Sequence, residues 1–274
     1  MISEIKNESA SISVYTDPFN KRIRIDYYSG DLLNVLTLIS TNVPLWIEKL
    51  IVKVREFDLD FFQKNGFSKE AFITGYFDGV DMYFMVKYYS NARAQNSNQV
   101  QEEKIIESIL HEPKSSAEIT WPEVSLAFLS DANELANLYG SVFKVYPTAM
   151  CDPDYVRKTM EEGTISVIIR EQNKIVSAAS AEIVYLYSNA ELTDCATLPE
   201  AQGKGHMKKL LSKLEEVLKA KKINCLYTIA RSESYSMNKV FYQLNYLYGG
   251  RLTNNCFIFS GLEDMNVWFK MVAE

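Results

Sequence analysis

The sequence predicts an α/β protein with a mixed sheet, arranged in two halves. Apolar runs with the two-residue period of strands alternate with stretches of helical period along most of the chain. The clearest helix, MKKLLSKLEEVLKAKK, places five apolar side chains on one face: Leu210, Leu211, Leu214, Val217 and Leu218. A polar stretch at 90–118, SNARAQNSNQVQEEKIIESILHEPKSSAE, predicts a linker that carries one helix. We therefore expect a smaller α/β domain at 1–115 and a second domain at 116–274.

The sequence of the second domain predicts a series of strands and helices. VSLAFLS predicts a strand, DANELANLYGSVFK a helix, and DPDYVRKTMEE a helix with proline in its first turn. ISVIIREQNKIVSAASAEIVYLYS predicts a hairpin that turns near Gln172 and Asn173. The strand AELTDCAT, the helix named above and the strand NCLYTIA follow. Strands that alternate with helices in this way indicate an α/β (α+β) domain built on a mixed sheet.

The two halves share a pattern of strand, helix and returning strand pair. The first half has EKLIVKV, Arg55, FFQKNGF and GYFDGVDMYFMVKYY, and the second has INCLYTIA, Arg231, VFYQLNY and MNVWFKMV. We interpret the first half as a partial copy of the second; chance similarity between two strand–helix–strand units is the alternative. The first half has no glycine-rich loop, so we expect no second active site in it.

Composition and charge exclude several classes of protein. A net charge of −6 argues against a nucleic-acid binder that relies on phosphate contacts. The four cysteines are widely spaced and only two histidines accompany them, so no metal site is expected. The stretch MISEIKNESA predicts no signal peptide, and no apolar run approaches the roughly 18 residues of a membrane span. We expect a cytoplasmic protein without nucleic-acid or membrane partners.

The most informative stretch, TLPEAQGKGHMKKLL, joins a strand to a helix through two glycines. Gly203 and Gly205 permit tight turns and the close approach of a ligand. The first amides of the following helix lack intrahelical acceptors, and with the helix dipole they favour a phosphate or pyrophosphate. Lys204, Lys208 and Lys209 add positive charge. A glycine-bearing turn beside an exposed basic helix is the structural alternative.

The surroundings of this loop resemble those of the GNAT acetyltransferases. Their acyl-CoA pyrophosphate loop follows the pattern Q-x-x-G-x-(G/A) after a strand and before an amphipathic helix. Gln202 and Gly205 match it, whereas Met207 stands where glycine or alanine is usual. The resemblance covers about residues 120–274. It implies the GNAT acyl-CoA N-acyltransferase fold in the C-terminal half, preceded by a smaller domain that resembles a partial GNAT repeat.

A closer resemblance covers nearly the whole chain. AELTDCATLPEAQGKG, ARSESYSMN and LTNNCFIFSGLEDMNVWFK in the second half, and DPFNKRI and GYFDGVDMYFMVKYYSNAR in the first, resemble the β-lysine N-acetyltransferase family. This resemblance implies transfer of acetyl from the co-substrate acetyl-CoA, without a metal, to the side-chain amine of β-lysine. The product would be a neutral compatible solute, or osmolyte. A small-molecule amine is the implied partner, and a homodimer stays open.

The resemblance also implies a catalytic residue. Glu191 matches the strand glutamate that serves as general base in some GNAT enzymes, and a solvent-facing glutamate at a strand start is the alternative. In an extended strand Glu191 shares a face with Thr193 and Cys195, and Asp194 points the other way. The Cys195 thiol would allow a covalent route, but a small thiol packed in a core is commoner. We expect direct attack of the amine on the thioester.

Two further sets of residues are expected to bind the substrates. The residues matched to acetyl-CoA binding are Cys195, Ala196, Thr197, Gln202, Gly203, Lys204, Gly205, His206, Met207 and Lys208. The candidates for binding the acceptor are Arg231, Asn254, Asn255 and Tyr146. A surface ion pair is the alternative for the arginine, and a turn is the alternative for the two asparagines. The tyrosine acid of the GNAT motif has no match, because Phe241 occupies its position.

Two other functions stay open at this point. The first is acetylation of a different amine, such as lysine, a polyamine or a protein lysine. The second is an acyl-CoA-binding sensor without catalysis, which Met207 in the loop and the missing tyrosine would permit.

Overall fold

Strands and helices alternate in two series along the computed structural model, which describes residues 2–114, 123–143, 148–258 and 261–272. The strands of the first series are β1 (Ile2–Lys6), β2 (Ala10–Asp17), β3 (Arg22–Gly30), β4 (Lys49–Arg55), β5 (Ser68–Phe77) and β6 (Val80–Tyr88). Those of the second are β7 (Val124–Leu126), β8 (Ile165–Glu171), β9 (Lys174–Val184), β10 (Asn189–Thr197), β11 (Cys225–Arg231), β12 (Leu247–Ile258) and β13 (Gly261–Met271). The helices are α1 (Leu32–Asn42), α2 (Leu59–Lys64), α3 (Asn91–Ala94), α4 (Gln99–Leu110), α5 (Ala132–Val142), α6 (Pro153–Glu161), α7 (His206–Ala220) and α8 (Tyr235–Gln243).

These strands join in one mixed sheet, and the order of one half mirrors that of the other. The order is β1-β2-β3-β4-β6-β5-β12-β13-β11-β10-β9-β8-β7. Only β3–β4 and β10–β11 run parallel among these pairs, and each parallel pair is joined by a helical crossover, α1 or α7. Strands β1–β6 therefore correspond one for one to β8–β13. The mixed α/β fold expected from the sequence is confirmed.

Corresponding ladders of the two halves also share their register. Strand β4 ends at Arg55, opposite Met82 of β6, and β11 ends at Arg231, opposite Met265 of β13. The two arginines that stand at matching places in the sequence pattern thus stand at matching places in the sheet. The shared strand–helix–strand pattern is present in the structure of both halves.

A bulged segment of β12 closes onto the first half. Asn254 takes a left-handed backbone conformation (φ +42°) where the β12–β13 ladder is interrupted. The Lys49 ammonium donates to the Thr253 carbonyl (2.6 Å), and the Arg22 guanidinium donates to the Asn255 carbonyl (3.0 Å). This segment is therefore fixed by side chains from the other half.

The corresponding segment of β5 closes onto the second half in the same manner. Gly75 has φ +69° at an interruption of the β5–β6 ladder. The Asn189 amide donates to the Tyr76 carbonyl (2.8 Å), and the Cys225 thiol donates to the Thr74 carbonyl (3.5 Å). Since Asn189 and Cys225 open the β10–β11 ladder as Arg22 and Lys49 open the β3–β4 ladder, the halves are related by approximate two-fold symmetry.

The polar stretch after β6 is more ordered than its composition predicts. It forms two helices, α3 and α4, so the expectation of a linker with one helix was wrong. Arg93 of α3 is buried, and its guanidinium donates to the carbonyls of Asn20 (2.8 Å) and Asn255 (3.3 Å). Polar side chains here satisfy buried backbone groups between the halves, which composition alone does not reveal. The boundary predicted near residue 115 lies outside the described residues.

The two faces of the sheet are covered by helices to different extents. Helices α1 and α2 cover one face of the first half, and α7 and α8 cover the matching face of the second. The opposite faces meet in a shared core that includes Ile51 and Tyr227. Helices α5 and α6 cover more of this face in the second half, and no helix of residues 2–114 corresponds to them. Partly exposed side chains from both halves remain beside the shared core.

Candidate active site

The parallel strands β10 and β11 separate partway along their length. They pair from Asn189 opposite Cys225 to Glu191 opposite Tyr227, and the Thr228 hydroxyl then donates to the Leu192 carbonyl (2.8 Å). Beyond this point the edge of β10 has no strand partner on the β11 side among the described residues. The backbone groups of its last residues are therefore available to an extended ligand, as at a sheet edge.

A bulge in β10 reverses the alternation of its side chains. The β9–β10 ladder is interrupted between Thr193 and Ala196, and Asp194 has φ +49°. Cys195 packs with Leu192 in the core under α7, on the side opposite Glu191. The prediction that Cys195 shares the face of Glu191 was wrong, because the bulge adds a residue to the strand. The negative charge of Asp194 instead acts on groups of the Glu191 side, such as Glu182.

The loop after β10 leads into α7 without a capping side chain. Gly203 and Gly205 have φ +77° and +74°, and open space lies where a Cβ of Gly203 would point. Gly205 is the N-cap residue of α7, and the Lys209 amide bonds to its carbonyl (3.4 Å). The amides before Lys209 lack intrahelical acceptors, and glycine supplies no side-chain oxygen for them. This geometry fits an anion at the helix N-terminus.

Other predicted residues of the loop have protein partners. The Lys204 ammonium bonds to both carboxylate oxygens of Glu171 (2.9 Å each), and buried His206 approaches the same carboxylate (3.5 Å). Burial lowers the pKa of His206. Met207 lies in the first turn of α7 and packs against the core, so a large residue is accommodated there. Gln202 donates to the Thr197 carbonyl (3.4 Å) and joins the strand end to the loop.

A row of side chains beside the strand split carries negative charge. Glu191 lies between Glu182 of β9 and Tyr227 of β11, its direct neighbours in the ladders. Desolvation by the surrounding protein, and then the charges of Glu191 and Asp194, raise the pKa of Glu182 to about 7. The Glu182 side chain still contacts solvent. Glu182 thus combines contact with solvent and a raised pKa.

Basic side chains of the first half face this row. The Arg24 guanidinium bonds to Asp26 through Nε (2.6 Å) and Nη2 (3.2 Å), and Lys53 bonds to the same carboxylate (2.8 Å). Burial alone would raise the pKa of Asp26, but Lys53 and Arg24 outweigh it and lower the pKa to about 2. Burial alone would lower the pKa of Arg24, but the charges of Asp26 and Glu191 outweigh burial and raise that pKa. The site thus contains groups from both halves.

The predicted acceptor residues do not join this cluster through any described contact. Arg231 makes a two-point ion pair with Glu263 (2.6 and 2.8 Å). The side-chain amide of Asn254 donates to the carbonyls of Arg93 (3.0 Å) and Gln95 (2.9 Å). The backbone of Asn255 takes part in the junction between the halves, as described above. Tyr146 lies outside the described residues.

The thiol of Cys195 is poorly suited to nucleophilic attack. Burial and then the charge of Asp194 raise its pKa, so the thiol stays protonated at neutral pH. Phe241, at the position of the tyrosine in the GNAT motif, is fully buried against Tyr246. The Tyr242 hydroxyl donates to the carbonyls of Leu110 and Glu112 (3.1 Å each). We assign no general acid among these residues.

The corresponding split in the first half is closed by side chains. Strands β3 and β4 separate after four paired positions, one more than β10 and β11, and Tyr28 fills the gap. Its hydroxyl donates to Asp58 (2.6 Å) and accepts from the Arg55 amide (3.3 Å). The Asp31 carboxylate caps α1 by accepting from the Asn34 amide (3.0 Å). An aromatic ring and a carboxylate thus occupy the places that the second half leaves open.

Sequence reasoning missed Arg24, Lys53 and Glu182. The first two lie in a half that was expected to lack a site, and Glu182 lies inside a long hairpin strand without a motif. A weak signal existed, since charged residues within otherwise apolar strands are unusual unless they are paired. No group of histidine, cysteine and carboxylate side chains that could hold a metal ion occurs among the described residues. No helix of the described residues is long and apolar enough to span a membrane.

Comparison with known proteins gives matches over part and over nearly all of the chain. The sequence profile of the Acetyltransferase (GNAT) family matches residues 132–246. N-acetyltransferase YodP of Bacillus subtilis is 36% identical over 275 residues, covering 99% of this chain and 100% of that protein. Beta-lysine N(6)-acetyltransferase of Methanosarcina mazei is 33% identical over 230 residues, covering 76% of this chain and 85% of that protein.

Solved structures match a smaller part of the chain. The structure of yncA from Salmonella typhimurium, determined with its cofactor acetyl-CoA, has a TM-score of 0.49 and 14% sequence identity. The match covers 57% of this chain and 96% of the yncA chain.

Proposed function

Because this chain belongs to the GNAT acetyltransferase family and is an acetyltransferase, we propose that it transfers acetyl to the side-chain amine of β-lysine. One observation carries the proposal: two adjacent carboxylates, Glu182 and Glu191, stand beside the split between β10 and β11. An ammonium group is attracted to such a pair before it reacts. Acetylation of this amine would remove one positive charge from β-lysine and leave a neutral solute.

We assign the site of acetyl-CoA, the family's co-substrate, to the second half; acetyl-CoA supplies an acetyl group activated as a thioester. We assign the backbone of Cys195, Ala196 and Thr197 to the pantetheine arm, because this edge of β10 has no strand partner. An amide there also provides a donor for the oxygen that gains charge during attack. The amides of 203–207, with the N-terminus of α7, are assigned to the pyrophosphate.

The carboxylates provide a path for the amine proton. An alkylamine of pKa near 10.4 is protonated at neutral pH and must lose a proton before it can attack. We assign Glu191, next to the split, as the group that accepts this proton. Glu182 is its cross-strand neighbour, contacts solvent and has a pKa of about 7, so it can pass the proton to water.

Direct attack on the thioester is favoured over a covalent intermediate. Cys195 lies on the side of β10 away from Glu191, and burial keeps its thiol protonated. A buried thiol of raised pKa is a poor nucleophile. The proposal therefore includes a single transfer step with both substrates bound.

The proposal is tested by acetyl-CoA-dependent thiol release with purified protein. The acceptor panel is β-lysine, α-lysine, a polyamine and a lysine-containing peptide, each assayed over a range of concentrations. We expect kcat/KM to be at least ten-fold higher for β-lysine than for the other amines. Preference for another amine would replace the acceptor, and acetyl-CoA binding without turnover on any amine would favour the sensor function.

A further inference from the structure

We propose that the first half supplies the subsite for the carboxylate of the acceptor, and that Arg24 is the residue that binds it. This inference rests on the proposed function, in which the acceptor is an amino acid with a side-chain amine. It gives the first half a direct part in the specificity of a reaction carried out by the second.

The sheet places Arg24 and Glu191 at corresponding positions. Arg24 lies between Tyr15 of β2 and Ile51 of β4, in the third pair of its parallel ladder. Glu191 lies between its own two neighbours in the third pair of the other parallel ladder. Ile51 and Tyr227 both belong to the core shared by the halves, so Arg24 and Glu191 flank that core from opposite sides. Tyr76 connects the two sides, because its hydroxyl accepts from Lys53 (2.8 Å) and its ring packs on Tyr227 (5.4 Å between centroids), the ladder neighbour of Glu191.

The Arg24 guanidinium is held in place with donors to spare. Asp26 accepts from Nε and Nη2, and Nη1 makes no hydrogen bond within the described residues. The group lies over the Tyr15 ring (5.1 Å to the centroid), and 27% of its side chain remains exposed. A guanidinium fixed on one side and open on the other suits a second carboxylate, because its planar donors match a carboxylate in two-point contact.

Lys53 makes the charge of Arg24 available to a ligand. Its ammonium bonds to Asp26 (2.8 Å) and to the Tyr76 hydroxyl (2.8 Å) and is almost wholly buried. Two cations therefore share one carboxylate, which leaves one positive charge over. That charge faces the row that contains Glu182 and Glu191. A positive subsite opposite a negative one fits a molecule with a carboxylate at one end and an ammonium group at the other.

The differences between the two halves explain why the strand face that carries Arg24 is accessible to the acceptor. Tyr28 and Asp31 fill the positions that would otherwise receive acetyl-CoA in the first half. No helix of residues 2–114 corresponds to α5 and α6, so the strand face that carries Arg24 stays partly open. A copy that cannot bind acetyl-CoA can still contribute side chains to its neighbour's cleft.

The test compares two acceptors that differ only in the carboxylate. Wild type, Arg24→Gln and Arg24→Lys are assayed with β-lysine and with β-lysine amide, in which a neutral carboxamide replaces the charged group. Loss of a charge-assisted contact is expected to cost about 10- to 100-fold, which corresponds to about 1.4–2.7 kcal/mol. We expect Arg24→Gln to lose about 10- to 100-fold in kcat/KM for β-lysine, mainly through KM, and less than three-fold for the amide. The kcat/KM of Arg24→Lys for β-lysine should lie between those of wild type and Arg24→Gln.

Controls separate this role from a structural one. Lys53 still neutralises Asp26 in both variants, so we expect unchanged acetyl-CoA affinity and melting temperatures within a few degrees of wild type. Arg157→Gln removes a surface arginine paired with Asp154 (2.9 Å) and should behave as wild type with both acceptors.

Two outcomes would overturn the inference in distinguishable ways. Equal losses on β-lysine and its amide would show that Arg24 does not bind the carboxylate, while the acceptor assignment stands. A wild-type enzyme that does not acetylate β-lysine would remove the proposed function, and this subsite with it.

Discussion

Replacing Glu191 with glutamine removes the charge that accepts the proton while keeping the size of the side chain. Glu191 stands between Glu182 and Tyr227 in the sheet, and the substitution leaves both strand pairings intact. We therefore expect a catalytic defect in a folded protein. Because the side chain is only partly buried, acetyl-CoA affinity should change by less than about two-fold.

The magnitude follows from the state of the acceptor. At pH 7 only about one alkylamine molecule in 2,500 is unprotonated, since its pKa is near 10.4. A positioned general base typically contributes about 10²- to 10⁴-fold to the rate. We expect Glu191→Gln to lower kcat by about 10²- to 10³-fold at pH 7, or about 3–4 kcal/mol of transition-state stabilisation. Raising the pH should narrow the difference, because more amine loses its proton without help.

The assay is thiol release at saturating acetyl-CoA between pH 6 and 9.5, with acetyl-CoA binding measured separately by calorimetry. Glu216→Gln is the control, because Glu216 is a largely exposed glutamate of α7 whose one ion pair within the described part of the chain is with Lys213. A kcat within three-fold of wild type, or a loss that follows weakened acetyl-CoA binding, would refute the role of Glu191 as base.

Three further predictions address the neighbouring groups. The pKa of Glu182 is raised to about 7, so activity that needs its ionised form is present above pH 7 and falls as the pH drops below that value. Glu182→Gln should flatten the acidic limb of the pH–rate profile, and an unchanged profile would exclude Glu182 from the proton path. Gly205→Ala places a side chain at φ +74° and should weaken acetyl-CoA binding about ten-fold, and equal affinity would argue against this loop as the anion site. Calorimetry should give one acetyl-CoA per chain, because Tyr28 and Asp31 close the corresponding place in the first half; two would contradict that interpretation.

The internal symmetry also accounts for the polar contacts that accompany the shared apolar core between the halves. Lys49 is fully buried, pairs with Glu70 (2.7 Å) and reaches the Thr253 carbonyl (2.6 Å). Its counterpart Cys225 makes the matching contact with Thr74. Two bulged segments thus satisfy their backbone groups through the opposite half, so that each half completes the other's sheet face.

Local signals in the sequence correctly predicted many individual elements. The hairpin turn at Gln172 and Asn173 has positive φ at both residues, as a two-residue turn requires. Asp152 caps α6 and Pro153 begins it. Leu210, Leu211, Leu214 and Leu218 of α7 are buried as expected, whereas Val217 is partly exposed. These features depend on neighbours within a few residues, so a single stretch of chain contains the information.

The arrangement of the site depended on contacts that no single stretch contains. The bulge at Asp194 is a property of the pairing between β9 and β10, and it moved Cys195 to the opposite side. Asn254 and Asn255, expected to bind the acceptor, are engaged by residues of the other half.

The sequence by itself determined the family, the fold class, the glycine loop and the place of Glu191 on a strand. Only the tertiary structure placed Arg24 of the first half and Glu191 of the second beside one shared core. The physical reason is that periodicity and turn chemistry are local, whereas a cleft between two related halves is set by which strands pair at β5 and β12.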